Sequence, residues 1–92
     1  MIVRIHAEGQ FQVPSALLDT LNDLDNQAVD AVAKGDYARF LHLLRQMHRL
    51  VREQGKPLPP SDLRVSDVVL PSEDITLDEA RALFGIAGLI PG

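Results

Sequence analysis

Ala31-Val32-Ala33-Lys34-Gly35-Asp36-Tyr37-Ala38-Arg39-Phe40 is the stretch on which the fold turns. Gly35 suits the left-handed conformation that closes many helices, and Asp36 directly after it is a good N-cap for another helix. A connection this short forces the two helices to run antiparallel. Upstream, Leu17, Leu21, Leu24, Ala28 and Val32 recur at steps of four, three, four and four, which is one face of a helix over residues 15–34. Ser15, following Pro14, is its expected N-cap. Asp19, Asp23, Asn26 and Asp30 repeat the rhythm on another face. Downstream, Tyr37, Phe40, Leu41, Leu44, Met47, Leu50 and Val51 give a helix over residues 37–54 a broad apolar face, and Gln54-Gly55-Lys56-Pro57 ends it. The spacing predicts that Leu17, Leu21 and Leu24 face Leu44, Met47 and Val51. Helices of about twenty residues are about 30 Å long. That is long for a chain of 92 residues, and it leaves surface for a partner or a second copy.

The flanks add an α+β frame. Val3 and Ile5 alternate with Ile2, Arg4 and His6, and Phe11 and Val13 alternate with Gln10 and Gln12. With Ala7-Glu8-Gly9 between them, the two runs read as an N-terminal β-hairpin. Pro57-Leu58-Pro59-Pro60 reads as an extended linker, because proline fixes its own φ and restricts the residue before it. Leu63-Arg64-Val65 and Val68-Val69-Leu70 are short apolar pieces, one of which can add a third strand beside the hairpin. Thr76 and Glu79 match a capping box, with Ile75 and Ala80 in the staple positions, and open a short C-terminal helix. Leu77, Ala80, Leu83 and Phe84 are its expected buried face, Gly85 its end, and the apolar tail Gly88-Leu89-Ile90-Pro91-Gly92 is expected to dock on the core or on a neighbour. The whole chain, residues 1–92, is expected to be one domain. So small a domain buries about 60–65% of the surface its unfolded chain exposes, so its stability is modest.

Composition narrows the function. There is no cysteine, which fits a reducing compartment. No secretion signal and no apolar run long enough to span a membrane is visible, so a soluble cytoplasmic protein is the default. The net charge of −4 hides a division into three blocks. Residues 1–33 set Arg4 against Glu8, Asp19, Asp23, Asp25 and Asp30, a net of −4. Residues 34–56 set Lys34, Arg39, Arg45, Arg49, Arg52 and Lys56 against Asp36 and Glu53, a net of +4. Residues 57–92 return to −4. Within the basic block His42, Arg45, Arg49 and Arg52 form a stripe at i, i+3, i+7 and i+10, continued by Lys56. Two readings stand side by side: neutralisation by the acidic blocks inside the fold, or an exposed basic face for an acidic partner.

A search for chemistry yields little. The imidazoles are His6, His42 and His48. His42 and His48 lie six apart on one helix and point about 240° apart, so they cannot share a metal ion. All three are expected to be solvent-facing polar residues. Ser15, Ser61, Ser66 and Ser72 sit in cap or loop contexts, and no nucleophile elbow or phosphate-binding glycine loop exists. The carboxylates of the first helix form a regular stripe, the pattern of a solvated face. The expectation is a protein-binding module with no cofactor, not an enzyme. Nucleic-acid binding is disfavoured by few aromatics and an acidic chain. Direct membrane binding is disfavoured because the apolar face of the second helix is needed to pair with the first.

Read end to end, the chain resembles the PspA-associated (PspAA) family. The resemblance is carried by Met1-Ile2-Val3-Arg4-Ile5, Glu8-Gly9-Gln10-Phe11, Leu17-Leu18-Asp19 and Leu21-Asn22-Asp23-Leu24-Asp25. It continues in Gly35-Asp36 before Phe40 and Leu43-Leu44, then Val51-Arg52, Gly55, Pro57-Leu58-Pro59, Ser66-Asp67-Val68-Val69-Leu70-Pro71 and Gly88-Leu89-Ile90-Pro91-Gly92. The resemblance implies a cytoplasmic companion of the phage-shock protein PspA in the envelope-stress response of bacteria and archaea. PspA-type proteins are long coiled coils that assemble on anionic membranes. The implied partner is therefore a PspA-like coiled coil, with the membrane face reached only through it. His42, Arg45, Arg49 and Arg52 are the candidate partner-binding residues. The rival reading is a self-associating structural dimer; a third is a small-ligand or nucleic-acid sensor. The family offers no catalytic residues. Asp67 is expected to cap a turn and the tail to close the core.

Overall fold

The two helices meet as the Gly35 break requires. A computed structural model describes residues 1–62 and 64–84. Helix α1 spans Leu18–Ala33 and helix α2 spans Tyr37–Gln54, packed against each other. Gly35 takes φ +71°, a left-handed conformation that costs glycine little. Asp36 accepts a hydrogen bond from the Arg39 backbone N–H at 3.1 Å and so caps α2. The start of the first helix differs from expectation. Ser15–Leu17 form a 3₁₀ turn, and the Ser15 side chain caps nothing; the turn is entered from Pro14 with no side-chain hydrogen bond. Pro14 is extended, with φ −60° and ψ 138°, and the tighter turn after it brings Leu17 into the core.

Four short strands form one mixed sheet. Strands β1 (Ile2–Ile5) and β2 (Gly9–Gln12) pair antiparallel, with Ile2 opposite Gln12 and Ile5 opposite Gly9. The turn between them carries Ala7 at φ +68°, and Gly9, the first residue of β2, takes φ +125°, so a residue with a side chain shares the left-handed positions with the glycine. Strand β3 (Lys56–Pro57) lies beside β2, and strand β4 (Val68–Leu70) runs parallel to β1, giving the order β3-β2-β1-β4. Of the two apolar pieces proposed for a third strand, Val68–Leu70 takes the place. Val65 stays 89% exposed, and Leu63 lies outside the described residues. The proline linker is not merely a spacer, because its first residue, Pro57, forms the edge strand β3 together with Lys56. Proline suits an edge, where its missing N–H is not needed.

One core lies between the sheet and the helices. Val3, Ile5, Val13, Val68 and Leu70 face Leu21, Ala28, Phe40, Leu44, Met47 and Val51. Leu24 is only half-buried and packs against this cluster from its margin. Helix α3 (Leu77–Phe84) packs on α1 and closes the far end. Its capping box is complete: Glu79 N–H donates to the Thr76 hydroxyl at 3.1 Å, and Thr76 N–H donates to Glu79 at 3.0 Å. Phe84 meets Phe40 edge to face, with ring centroids 5.0 Å apart. Leu83 departs from expectation, being half exposed instead of buried, because Ala80 and Phe84 already fill the face turned to α1. Gly85 and the tail over residues 88–92 lie outside the described residues.

Candidate functional site

Helix α2 turns Phe40, Leu44, Met47 and Val51 inward, so the residues about 100° to 180° around the helix must face water. His42, Arg45, Arg49 and Arg52 are all exposed on that outer side. Arg45, Arg49, Arg52 and Glu53 line a shallow depression of about 300 Å³ together with Glu73 from the loop between β4 and α3. His42 is not part of it.

Two of the three guanidinium groups are held by acids from the neighbouring blocks. Arg52 grips Glu8 of the hairpin turn with both nitrogens; its Nε donates to Oε2 at 3.0 Å, and Nη2 donates to Oε1. That hydrogen bond is the main reason the Glu8 carboxyl is held below its usual range, with the Arg52 charge adding to it. The same bond raises Arg52. Arg45 Nε stands 3.5 Å from Glu73 Oε2, a looser pair at the surface. Among the described residues neither Arg49 nor His42 has an ion-pair partner. The basic block is thus neutralised in part: Arg39 and Lys34 both pair with Asp30, at 2.9 and 3.1 Å. The bond from Arg39 does most to lower the Asp30 carboxyl, and the one from Lys34 adds.

His48 overturns an expectation. It is 1% exposed, not solvent-facing. Its Nε2 lies 2.8 Å from the Pro71 carbonyl, which can only accept, so Nε2 carries the proton and donates. Its Nδ1 has no hydrogen-bond partner and lies 3.6 Å from Glu73 Oε1. The signal was in the spacing. Phe40, Leu44, His48 and Val51 fall at steps of four, four and three, the apolar face itself. A second side chain of α2 reaches the same loop, since Tyr37 donates its hydroxyl to the Ile75 carbonyl at 2.7 Å. Glu8 and Glu73 were the other omissions, because nothing local to either residue marks it as a neighbour of α2.

Asp67 does more than cap a turn. Its carboxylate accepts the Ile2 N–H at 2.7 Å while its own N–H donates to the Ile2 carbonyl at 2.8 Å, which locks β4 onto β1. Ser66 accepts from the Gln10 side-chain amide at 2.7 Å. Both residues therefore have a structural role. Among the described residues no three His, Asp or Glu side chains come together to hold a metal ion, and no helix is long and apolar enough to cross a membrane.

The model of one family, described as PspA-associated protein, matches residues 1–92, the whole length. No curated protein and no solved structure matches the chain.

Proposed function

Because the chain belongs to the PspA-associated family, we propose that it is a non-enzymatic adaptor that binds a PspA-type coiled coil in the envelope-stress response. On this reading it works in the cytoplasm and reaches the inner membrane face only through its partner. The contact surface is the outer side of α2, with His42, Arg45, Arg49 and Arg52 as the partner-binding residues. One observation carries that choice. Arg49 stands exposed and without an ion-pair partner among the described residues, between Arg45 and Arg52, whose side chains Glu73 and Glu8 already orient. A guanidinium in water loses little on meeting a carboxylate of a partner, and its planar fork favours two-point contact. A helix of 18 residues is also a surface that another helix can follow along its length.

The test is binding of purified PspA to the wild-type chain and to the triple variant Arg45→Gln, Arg49→Gln, Arg52→Gln. The variant folds, because exposed ion pairs contribute about 0–1 kcal/mol each. Its affinity falls by about tenfold or more, and wild-type binding weakens as salt rises. Wild-type affinity in the folded variant at low salt rejects this contact surface. Failure of the wild-type chain to bind PspA at all rejects the adaptor.

A further inference from the structure

A second surface lies on the other side of the loop that carries Glu73. There, a groove of about 740 Å³ runs between the end of β1, the 71–75 loop and the outer side of α3. Its walls are mostly aliphatic, Val69 and Leu83, 49% and 50% exposed, with Pro71, Ile75 and Ala82, and the His6 imidazole lines it at the end of β1. Val69 and Leu83 are half of the large hydrophobic residues left exposed among the described residues, the others being Leu18 and Val65. Their meeting in one concavity is therefore not the ordinary scatter of surface leucines. Asp74 and Glu79 stand on the rim, and no lysine or arginine among the described residues lines it.

The groove is also rigidly built. Its floor loop is fixed from behind by the two α2 side chains, His48 to the Pro71 carbonyl and Tyr37 to the Ile75 carbonyl. Placing a histidine at 1% exposure with one nitrogen unpartnered costs free energy. The return is a loop held in one shape. Ser72 donates to Asp74 across the loop, and the Thr76–Glu79 capping box fixes the start of α3. A preformed apolar groove with acidic edges loses little entropy on binding.

We propose that this groove is a docking site for a basic amphipathic helix, one with aliphatic side chains along one face and lysine or arginine beside them. The aliphatic face covers Val69 and Leu83, and the flanking cations meet Asp74 and Glu79. Helix-in-groove recognition needs this combination of apolar floor and complementary rim. An anionic membrane or a nucleic acid does not fit, because the rim repels phosphate. The site is independent of the arginine row on α2, which asks for an acidic partner.

The probe is a synthetic peptide of about 18 residues, long enough to form helix, with leucines at helical spacing and lysines on the flank. A peptide of the same composition in permuted order is the control. Binding to the full chain is read by fluorescence anisotropy and by methyl and amide NMR shifts. The helical peptide binds and shifts the Val69, Ile75 and Leu83 signals, and the permuted peptide binds at least about tenfold more weakly. Leu83→Glu, at a half-exposed position, leaves the fold intact and reduces binding by about tenfold or more. Asp74→Asn with Glu79→Gln, which keeps a capping side chain, reduces it several-fold and flattens its salt dependence. The triple arginine variant of α2 binds as wild type, which separates this site from the adaptor surface.

Four results overturn the proposal: no binding; equal binding by Leu83→Glu; shifts on the acidic face of α1 at Asp19 and Asp23 instead; or protection of β4 amides without helix formation. Binding only by the variant Leu89→Glu, Ile90→Glu makes the chain's own C-terminal segment the occupant. A dimer that dissociates in Leu83→Glu makes it a second copy. Either also overturns it.

Discussion

The helical hairpin and the segment that follows it are held by opposite means. From Leu18 to Gln54 the chain forms two helices whose hydrogen bonds close within four residues, while their apolar faces meet across the Gly35 turn. Among the described residues from Lys56 to Asp67 there is one two-residue strand, and the fastening comes from far away in sequence. Leu58 N–H donates to the Gln10 carbonyl at 2.8 Å. The Gln10 amide reaches the Arg64 carbonyl and Ser66, Arg64 reaches Gln12, and Asp67 holds Ile2. The hairpin is stabilised by buried carbon, the segment by polar contacts at a water-exposed surface. The first kind of region should fail as a whole, the second locally.

Truncating the hairpin core gives the largest effect. Leu44 has no exposed surface, so Leu44→Ala costs about 2–5 kcal/mol. In a chain of 92 residues that is enough to leave a large unfolded fraction. Thermal unfolding followed by circular dichroism checks this, and a melting temperature within a degree or two of wild type removes Leu44 from the core.

The junction between the two regions is next. A Cβ added to Gly55 meets the Val51 carbonyl oxygen at 2.5 Å and Val13 Cγ1 at 2.8 Å. Gly55 is extended at φ −96°, so crowding and not backbone strain is the objection to a side chain. Gly55→Ala costs about 1–3 kcal/mol, read by urea unfolding. An unchanged midpoint means that the C-terminal end of α2 can move off β2 freely.

Asp67→Ala tests the segment alone. It removes one charge-assisted bond at an exposed position, about 1–2 kcal/mol. Hydrogen exchange should speed up at Val68–Leu70 and around Ser66 and leave the α1 and α2 amides unchanged. Equal acceleration everywhere would show that segment and hairpin unfold as one unit, and the contrast between them would disappear.

The smallest effect lies where the hairpin turn meets α2. Glu8→Gln breaks the pair with Arg52 and costs about 1 kcal/mol or less, since both side chains are well exposed. The Glu8 carboxyl is lowered in the folded chain. Its contribution is therefore present above the unfolded carboxyl range and is lost as pH falls through the folded value. The stability difference between wild type and Glu8→Gln should shrink on acidification and with added salt. A difference that persists in acid would assign it to packing.

Much of this molecule was legible because its rules are local. The bounds of α2, the Asp36 cap, the left-handed Gly35 and the Thr76–Glu79 box each depend on residues within four positions of one another. A helix repeats every 3.6 residues whatever lies around it. Even His48 was written in that period, since its place among Phe40, Leu44 and Val51 sets it inward, although residue type argued for the surface. The family, too, is a property of the sequence, matched over its whole length. Only the tertiary structure decided the rest. The strands β3 and β4 are two and three residues long, too short for a period, and exist because β2 and β1 offer them an edge. Glu8 reaches Arg52 and Glu73 reaches Arg45 across 44 and 28 positions, so which arginine of the α2 row stays without an ion-pair partner among the described residues depends on where the loops come to rest. The groove beside Leu83 arises in the same way, because a concavity belongs to no single segment. Bonds that close within one turn are encoded in neighbouring residues, whereas contacts between distant segments are set by how the whole chain packs.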